Sequence, residues 1–310
     1  MPAMNQQKRQ LKDYPVFFGL FLIKCLVQLP LPVWQRVGIE LGKIIHKFAH
    51  KRRRITEINL TMAFPDMPES ERNKMVRDVF INTTLGALES FYGWWASSEE
   101  IQKRSEVKNL ETLQNLNKDA GVIIIGAHFT TLDLSGRVMG ERQKVDIVYK
   151  SQKNKAFNDT MIKCRAPHYG EMISKKDMRT MIKRLKAKNI VWYAPDQDFG
   201  PKGSVFAPFF GVPTATLSNI AKLVKLTGAK VVFFSHFREG LGEDTRYIGE
   251  VTTPFADQHS ESNVSDDDAI NAQIMNAELE RSLKDNDVKQ YFWVHKRFKT
   301  RPNGEPNPYK

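Results

Sequence analysis

In the stretch Gly121-Val-Ile-Ile-Ile-Gly-Ala-His-Phe-Thr-Thr-Leu-Asp133, a histidine and an aspartate stand five residues apart. An imidazole can take a proton from an alcohol near neutral pH. A carboxylate on its other nitrogen fixes the tautomer and stabilises the imidazolium. No protein nucleophile accompanies the pair: there is no G-x-S-x-G elbow, and Cys25 and Cys164 lie elsewhere. A His–Asp pair without its own serine suits a reaction in which the substrate supplies the hydroxyl. The spacing alone arises often by chance. The competing reading is a core histidine beside an aspartate that caps a helix.

The elements around the pair decide whether it can work. Val122–Ile125 is short and aliphatic, with three isoleucines, the pattern of a strand buried on both faces. Gly126 ends it, and Thr130 or Thr131 can cap a helix from Leu132. His128 then sits at the carboxyl end of a buried strand, where open α/β sheets bind ligands. Five residues along one helix turn about 500°, so His128 and Asp133 meet only if the first is in the turn and the second in the first helical turn.

A second stretch, Ile190-Val-Trp-Tyr-Ala-Pro-Asp-Gln-Asp-Phe-Gly-Pro201, repeats this logic. A buried strand ends near Pro195, and Asp196 and Asp198 emerge at its carboxyl end. In a parallel sheet Asp196 shares a rim with His128. Arg165, at the end of an intervening helix, can reach that rim and bind a phosphate or a developing oxyanion. The alternative is that Arg165 and these acids form a structural ion pair. Phe199, Phe206, Phe209 and Phe210 add apolar surface, either as core or as a wall for an acyl chain.

The 310 residues suffice for one large or two modest domains, and a hydrophobic share of 41% can fill a core. Lys and Arg number 47 against 35 Asp and Glu, for a net charge of +12. That excess asks for an anionic partner: lipid, nucleic acid, phosphorylated substrate or acidic protein. Two cysteines without metal-ligand spacing argue against a disulfide framework and fit a reducing compartment. Pro15–Pro32 is the most apolar stretch. Lys24 and Gln28 interrupt it, and Lys8, Arg9 and Lys12 precede it. Arg36, Lys43, Lys47 and the run Lys51, Arg52, Arg53, Arg54 follow it. It reads as a membrane anchor over residues 1–34, spanning the bilayer or lying in its interface, with the rest on the cytoplasmic side. The run at 51–54 is either a solvated face or a contact for anionic headgroups.

Residues 35–106 read as helical, including Gly38–Phe48 and Glu69–Trp95. Residues 107–310 alternate strands and helices. The strands are Val122–Ile125, Val145–Tyr149, Ile190–Ala194, Lys230–Ser235 and Tyr247–Thr252. The helices are Leu132–Gly140, Lys155–Arg165, Lys176–Ala187, Thr216–Thr227 and Asp267–Leu283. This predicts an α/β fold with a mostly parallel central sheet flanked by helices. Gln258–Asp268 reads as an exposed polar loop. Gly240-Leu-Gly242 lacks a third glycine, and no P-loop, H-E-x-x-H or paired C-x-x-C occurs. The basic, aromatic tail Tyr291–Arg301 suits polyanions, which keeps open a basic membrane-surface or nucleic-acid binding protein.

Taken together, these stretches resemble a known family. His128-Phe-Thr-Thr-Leu-Asp133 matches the H-x₄-D/E motif of glycerolipid and lipid A acyltransferases. Arg52–Leu60 with Ala63-Phe-Pro65, Trp192–Pro201 and Trp293–Pro302 resemble the late acyltransferases of lipid A biosynthesis (HtrB/MsbB, or LpxL/LpxM, type). The resemblance covers nearly the whole chain. It implies an enzyme of the bacterial inner membrane whose active site faces the cytoplasm. It also implies transfer of a fatty acyl group from acyl carrier protein to a hydroxyacyl chain of a Kdo-bearing lipid A precursor. By position it makes His128 the general base, Asp133 its orienting acid, and Arg165 and Asp196 further functional residues, with Asp196 favoured over Asp198. No metal or other cofactor is implied. A glycerolipid acyltransferase using the same chemistry is the alternative enzyme.

Overall fold

A computed structural model describes residues 13–255 and 264–310. Lys8, Arg9, Lys12 and part of the polar stretch 258–268 lie outside the described residues. Four helices and a short fifth come first: α1 (Tyr14–Val27), α2 (Leu31–Phe48), α3 (His50–Ala63), α4 (Glu69–Trp95) and α5 (Ser98–Lys103). The expected helix over Glu69–Trp95 is found with those bounds.

The described residues of the apolar stretch do not support the expected spanning anchor. Pro30 separates α1 from α2, because proline brings no N–H and disfavours helix at the preceding residue. The 14 residues of α1 rise roughly 21 Å, short of the ~30 Å hydrocarbon core of a bilayer. Among the described residues no helix is long and apolar enough to cross a membrane. The stretch instead forms an exposed apolar face. On α1 it comprises Phe18, Phe21 and Leu22; on α2 it comprises Val33, Val37, Leu41, Ile44, Ile45 and Phe48. The α2 positions recur at helical spacing. The opposite side of α2 carries buried Trp34, Gly38 and Gly42, which pack on Ile81, Leu85 and Leu88 of α4.

The α/β part contains β1 (Ser105–Lys108), α6 (Leu110–Asp119), β2 (Val122–Ile125), α7 (Leu132–Gly140), β3 (Asp146–Tyr149) and α8 (Lys155–Arg165). It continues with β4 (Met172–Ser174), α9 (Met178–Lys186), β5 (Ile190–Tyr193), β6 (Ser204–Phe209), β7 (Val212–Leu217) and α10 (Ile220–Thr227). The last elements are β8 (Lys230–Glu239), β9 (Arg246–Thr252) and α11 (Asp268–Asp285). Among the described residues, seven strands make one sheet in the order β1-β9-β8-β2-β5-β3-β4. All neighbours are parallel except β8 and β9. The expected α/β class and mostly parallel sheet are therefore observed. The segment 204–217 differs: β6 and β7 form a separate antiparallel hairpin, so the helix expected from Thr216 begins only at Ile220. Alternating Val212, Thr214 and Thr216 suit a pleated strand better than a helix.

Strand β2 lies at the centre, and all four of its side chains are buried. Because side chains alternate along a strand, Ile123 and Ile125 join one apolar layer with Val191, Val231 and Phe233. Val122 and Ile124 join the other with Ile190, Trp192 and Val232. The β2–β5 register pairs Ile125 with Tyr193, and Gly126 N donates to Tyr193 O at 2.9 Å. His128 and Asp196 each follow three residues later, so the register sets them side by side. Gly126 is required here: a Cβ would strike the Trp192 indole.

Helix α4 closes over the same turn. Gly86 meets the main chain of Thr130, and a Cβ there would collide with the Thr130 carbonyl oxygen. Gly86→Ala is therefore expected to destabilise the fold by about 1–3 kcal/mol, read as a lower melting temperature. Gly19 in α1 has nothing within 4 Å of such a Cβ. Gly19→Ala should gain up to ~1 kcal/mol from helix propensity. Equal melting temperatures for the two variants would contradict this packing.

Candidate active site

The turn after β2 aims His128 at β5. Its Nδ1 lies 2.6 Å from Asp196 Oδ1, and its main-chain N–H donates to Asp196 Oδ2 at 3.0 Å. One carboxylate thus fixes both the backbone and the ring of the histidine. A third donor, the Tyr291 hydroxyl, reaches Asp196 Oδ2 at 3.0 Å. Asp196 is 7% exposed, whereas the His128 side chain is 27% exposed. With Nδ1 engaged, Nε2 is the nitrogen left for chemistry.

The electrostatics follow from this geometry. Burial favours a neutral His128, but the Asp196 charge and hydrogen bond outweigh it, and the imidazole titrates above its usual value. Burial would raise the Asp196 carboxyl, yet the His128 ring and N–H hold it well below the ordinary carboxylate range. Two nearby histidines behave differently. Burial pushes His236 down to about 3 and His295 down to about 4. Both stay neutral across the working range, and His128 alone of the three is shifted upward.

The expected His128–Asp133 contact is corrected by this arrangement. Asp133 occupies the first turn of α7 and is engaged from elsewhere. Arg165 Nη2 lies 2.6 Å from Asp133 Oδ2, and Trp94 Nε1 donates to the same oxygen at 3.0 Å. The Arg165 guanidinium also sits 5.8 Å from the Trp94 ring centroid, a cation–π contact. Two separate acid–base pairs result: His128 with Asp196, and Arg165 with Asp133.

Asp198 belongs to neither pair. It accepts hydrogen bonds from Thr300 N at 2.6 Å, Thr300 Oγ1 at 2.8 Å and Gly200 N at 2.8 Å, and so ties down the C-terminal segment. Lys51, Arg52, Arg53 and Arg54 lie on α3. Arg52 donates to Val294 O at 3.0 Å, and Arg53 approaches Glu57 at 3.5 Å. Lys51 and Arg54 remain exposed. Phe209 is core, packed against Tyr291 and Trp293, as is its partly buried neighbour Phe210. Phe206 is exposed, and Phe199 stands at the cavity wall.

Both acid–base pairs open on a cavity of about 760 Å³. Its lining includes His128, Asp133 and Arg165. Thr83, Gly86, Ala87 and Ser90 of α4 form one side. Ile147, Ile173, Met181 and Trp192 supply apolar surface, and Lys150 and Lys175 are cationic. Apolar walls with a few polar groups among them are the usual lining of a small-molecule site. Among the described residues no group of His, Cys, Asp and Glu could hold a metal ion. Cys25 and Cys164 are free thiols.

Trp94 and Tyr291 were not identified as site residues from the sequence. Trp94 lies in a helix whose apolar positions read as core. Tyr291 stands in an aromatic run that gives no sign of where its hydroxyl points.

Comparison with known proteins identifies a family. The model of the family described as "Bacterial lipid A biosynthesis acyltransferase" matches residues 1–300. A lipid A biosynthesis lauroyltransferase of Escherichia coli (strain K12) is 34% identical over 298 residues, covering 94% of each chain. The palmitoleoyltransferase of that strain is 32% identical, with the same coverage. Its myristoyltransferase is 26% identical over 100% of this chain and 94% of its own. A family model matched over nearly the whole chain, with relatives above 30% identity over 94% of it, leads to one assignment: this protein belongs to the bacterial lipid A biosynthesis acyltransferases.

Proposed function

We propose that the protein transfers a fatty acyl group from acyl carrier protein to the hydroxyl of a 3-hydroxyacyl chain on a Kdo-bearing lipid A precursor. The observation that carries the mechanism is the His128–Asp196 pair, open to the cavity, with no Ser, Thr or Cys side chain hydrogen-bonded to His128 among the described residues. His128 Nε2 takes the proton of the acceptor hydroxyl as that oxygen attacks the thioester carbonyl. Asp196 stabilises the resulting imidazolium, and His128 returns the proton to the departing thiolate. Arg165, held by Asp133, and the N-terminus of α7 face the region where the oxyanion forms.

The enzyme works at the cytoplasmic face of the inner membrane. The exposed apolar face of α1 and α2 supports contact with a bilayer, and Lys43, Lys47, Lys51 and Arg54 stand exposed along α2 and α3 to meet anionic headgroups.

Incubation with acyl-loaded carrier protein and the precursor should add one acyl mass to the lipid, read by mass spectrometry, and His128→Ala should abolish the gain. A gain only on glycerol phosphate acceptors would replace the lipid A reading with the glycerolipid one. Trapping an acyl-enzyme at Ser or Cys would sink direct transfer.

The two carboxylates should separate in their pH behaviour. His128 must be neutral to act, so activity falls as pH drops through its raised pKa, above ~6.5. Asp196→Asn removes the charge that raises it, leaving burial. The acidic limb of kcat/KM should move to lower pH while kcat drops on the order of 10²–10⁴-fold. Asp133→Asn should lower activity through Arg165 and move that limb far less. Equal shifts would overturn the assignment of Asp196 as the partner of His128.

Vesicle sedimentation tests the membrane contact. The chain should bind anionic vesicles and release at high salt, and replacing Phe18, Phe21 and Phe48 together by Ser should abolish binding. Retained binding would exclude this face.

A further inference from the structure

The C-terminal segment crosses directly beneath the reacting histidine. Phe292 N donates to His128 O at 3.0 Å, and Thr130 N donates to Gln290 O at 2.7 Å. Phe129 and Tyr291 form an antiparallel bridge. Residues 290–292 therefore bind the His128 turn as a short extra strand would. The segment is anchored on both sides. Gln290, buried, pairs its amide with Arg238 N and Arg238 O, both at 2.9 Å. Asn59 of α3 donates to Trp293 O at 2.6 Å and to His295 O at 2.7 Å. Arg297, fully buried, donates to Ala215 O at 3.0 Å and lies 5.1 Å from the Phe209 ring centroid.

This anchoring delivers one polar atom to the site. Tyr291 is fully buried, and its hydroxyl donates to Asp196 Oδ2 at 3.0 Å. Among the described residues Oδ2 otherwise receives only the His128 N–H, while Oδ1 holds the ring. A carboxylate pinned at Oδ2 by two donors cannot rotate Oδ1 away from Nδ1.

We propose that Tyr291 is a positioning residue of the proton-transfer site, and that the segment Val288–Phe298 is a built part of that site rather than a tail packed beside it. The proposal rests on His128 being the base. The Tyr291 hydroxyl does two things: it holds the carboxylate in plane with the ring, and it withdraws part of the negative charge that Asp196 presents to the imidazole. Its removal leaves that charge wholly to His128, so the imidazolium is held more tightly and the ring gives up its proton at higher pH. Arg297, fully buried, lends its positive charge and a hydrogen bond to the Tyr291 hydroxyl and stays in place when that hydroxyl is removed. His236 and His295 are neutral, Arg165 is paired with Asp133 across the cavity, and Lys150 and Lys175 stand at its wall.

The test uses the full chain and reads His128 in two ways: the NMR titration of its imidazole, assigned with His128→Gln, and the acidic limb of kcat/KM. Tyr291→Phe keeps the buried ring and removes the hydroxyl. It should raise both readings by about half a pH unit and lower kcat about ten-fold with KM unchanged. Site-specific 3-fluorotyrosine at 291, a stronger donor, should move both the opposite way. Tyr309→Phe removes a hydroxyl that binds Asn59 of α3, an anchor of the same segment, and should move neither. If both Tyr291 replacements leave the His128 titration in place, the hydroxyl has no positioning role and the proposal is overturned. The NMR reading needs no turnover, so it stands even if the acyl-transfer reading fails. A titration that moves while the pH limb does not would overturn the role of His128 instead.

Discussion

A single buried carboxylate organises the centre of this protein. An ionised aspartate removed from water costs several kcal/mol unless its oxygens are well partnered. Asp196 meets that cost with donors from two distant segments: two from the His128 turn and one from Tyr291. Each donor constrains a different part of the fold. The turn reaches Asp196 only because β2 and β5 pair in parallel with Ile125 opposite Tyr193. Tyr291 reaches it only because the chain after α11 returns beneath the sheet edge. The carboxylate is thus the point at which sheet register and C-terminal path must agree.

The site was legible as a set of residues but not as a set of pairs. His128, Asp133, Arg165 and Asp196 could all be placed at one rim from strand ends and helix starts, and all four gather there. Their partners could not be read. The H-x₄-D spacing suggests contact between its ends, yet Asp133 enters a helical turn and meets Arg165 and Trp94 instead. A pattern of residues along one chain segment says which groups share a neighbourhood. Which lone pair each group meets depends on segments far away, such as Trp94 on α4. The structure supplies the missing rule: His128 and Asp196 each lie three residues beyond a four-residue strand, and equal offsets on adjacent parallel strands place two side chains together.

The same distinction runs through the fold. Strands buried on both faces announce themselves by composition, so β2 and β5 were expected nearly as found. Ser105-Glu-Val-Lys108 contains one apolar residue, and Met172-Ile-Ser174 is three residues long. These are the two ends of the sheet, where one side of a strand has no neighbour and little apolar surface is needed. Their pairing comes from the inner strands they lie against, which no local pattern records.

Hydropathy summed over a window measures how much apolar surface a segment carries, not where that surface points. Pro15–Pro32 has enough to suggest a span. Pro30 and the small residues of α2 decide otherwise, because Gly38 and Gly42 let that helix lie flat along α4. Once α2 lies flat, its remaining apolar side chains must face outward together. Helix α4 then has two tasks: it packs Leu85 and Leu88 on α2 while Thr83, Gly86, Ala87 and Ser90 line the cavity. One helix thus supports the outward apolar face through one side and lines the His128 cavity with the other.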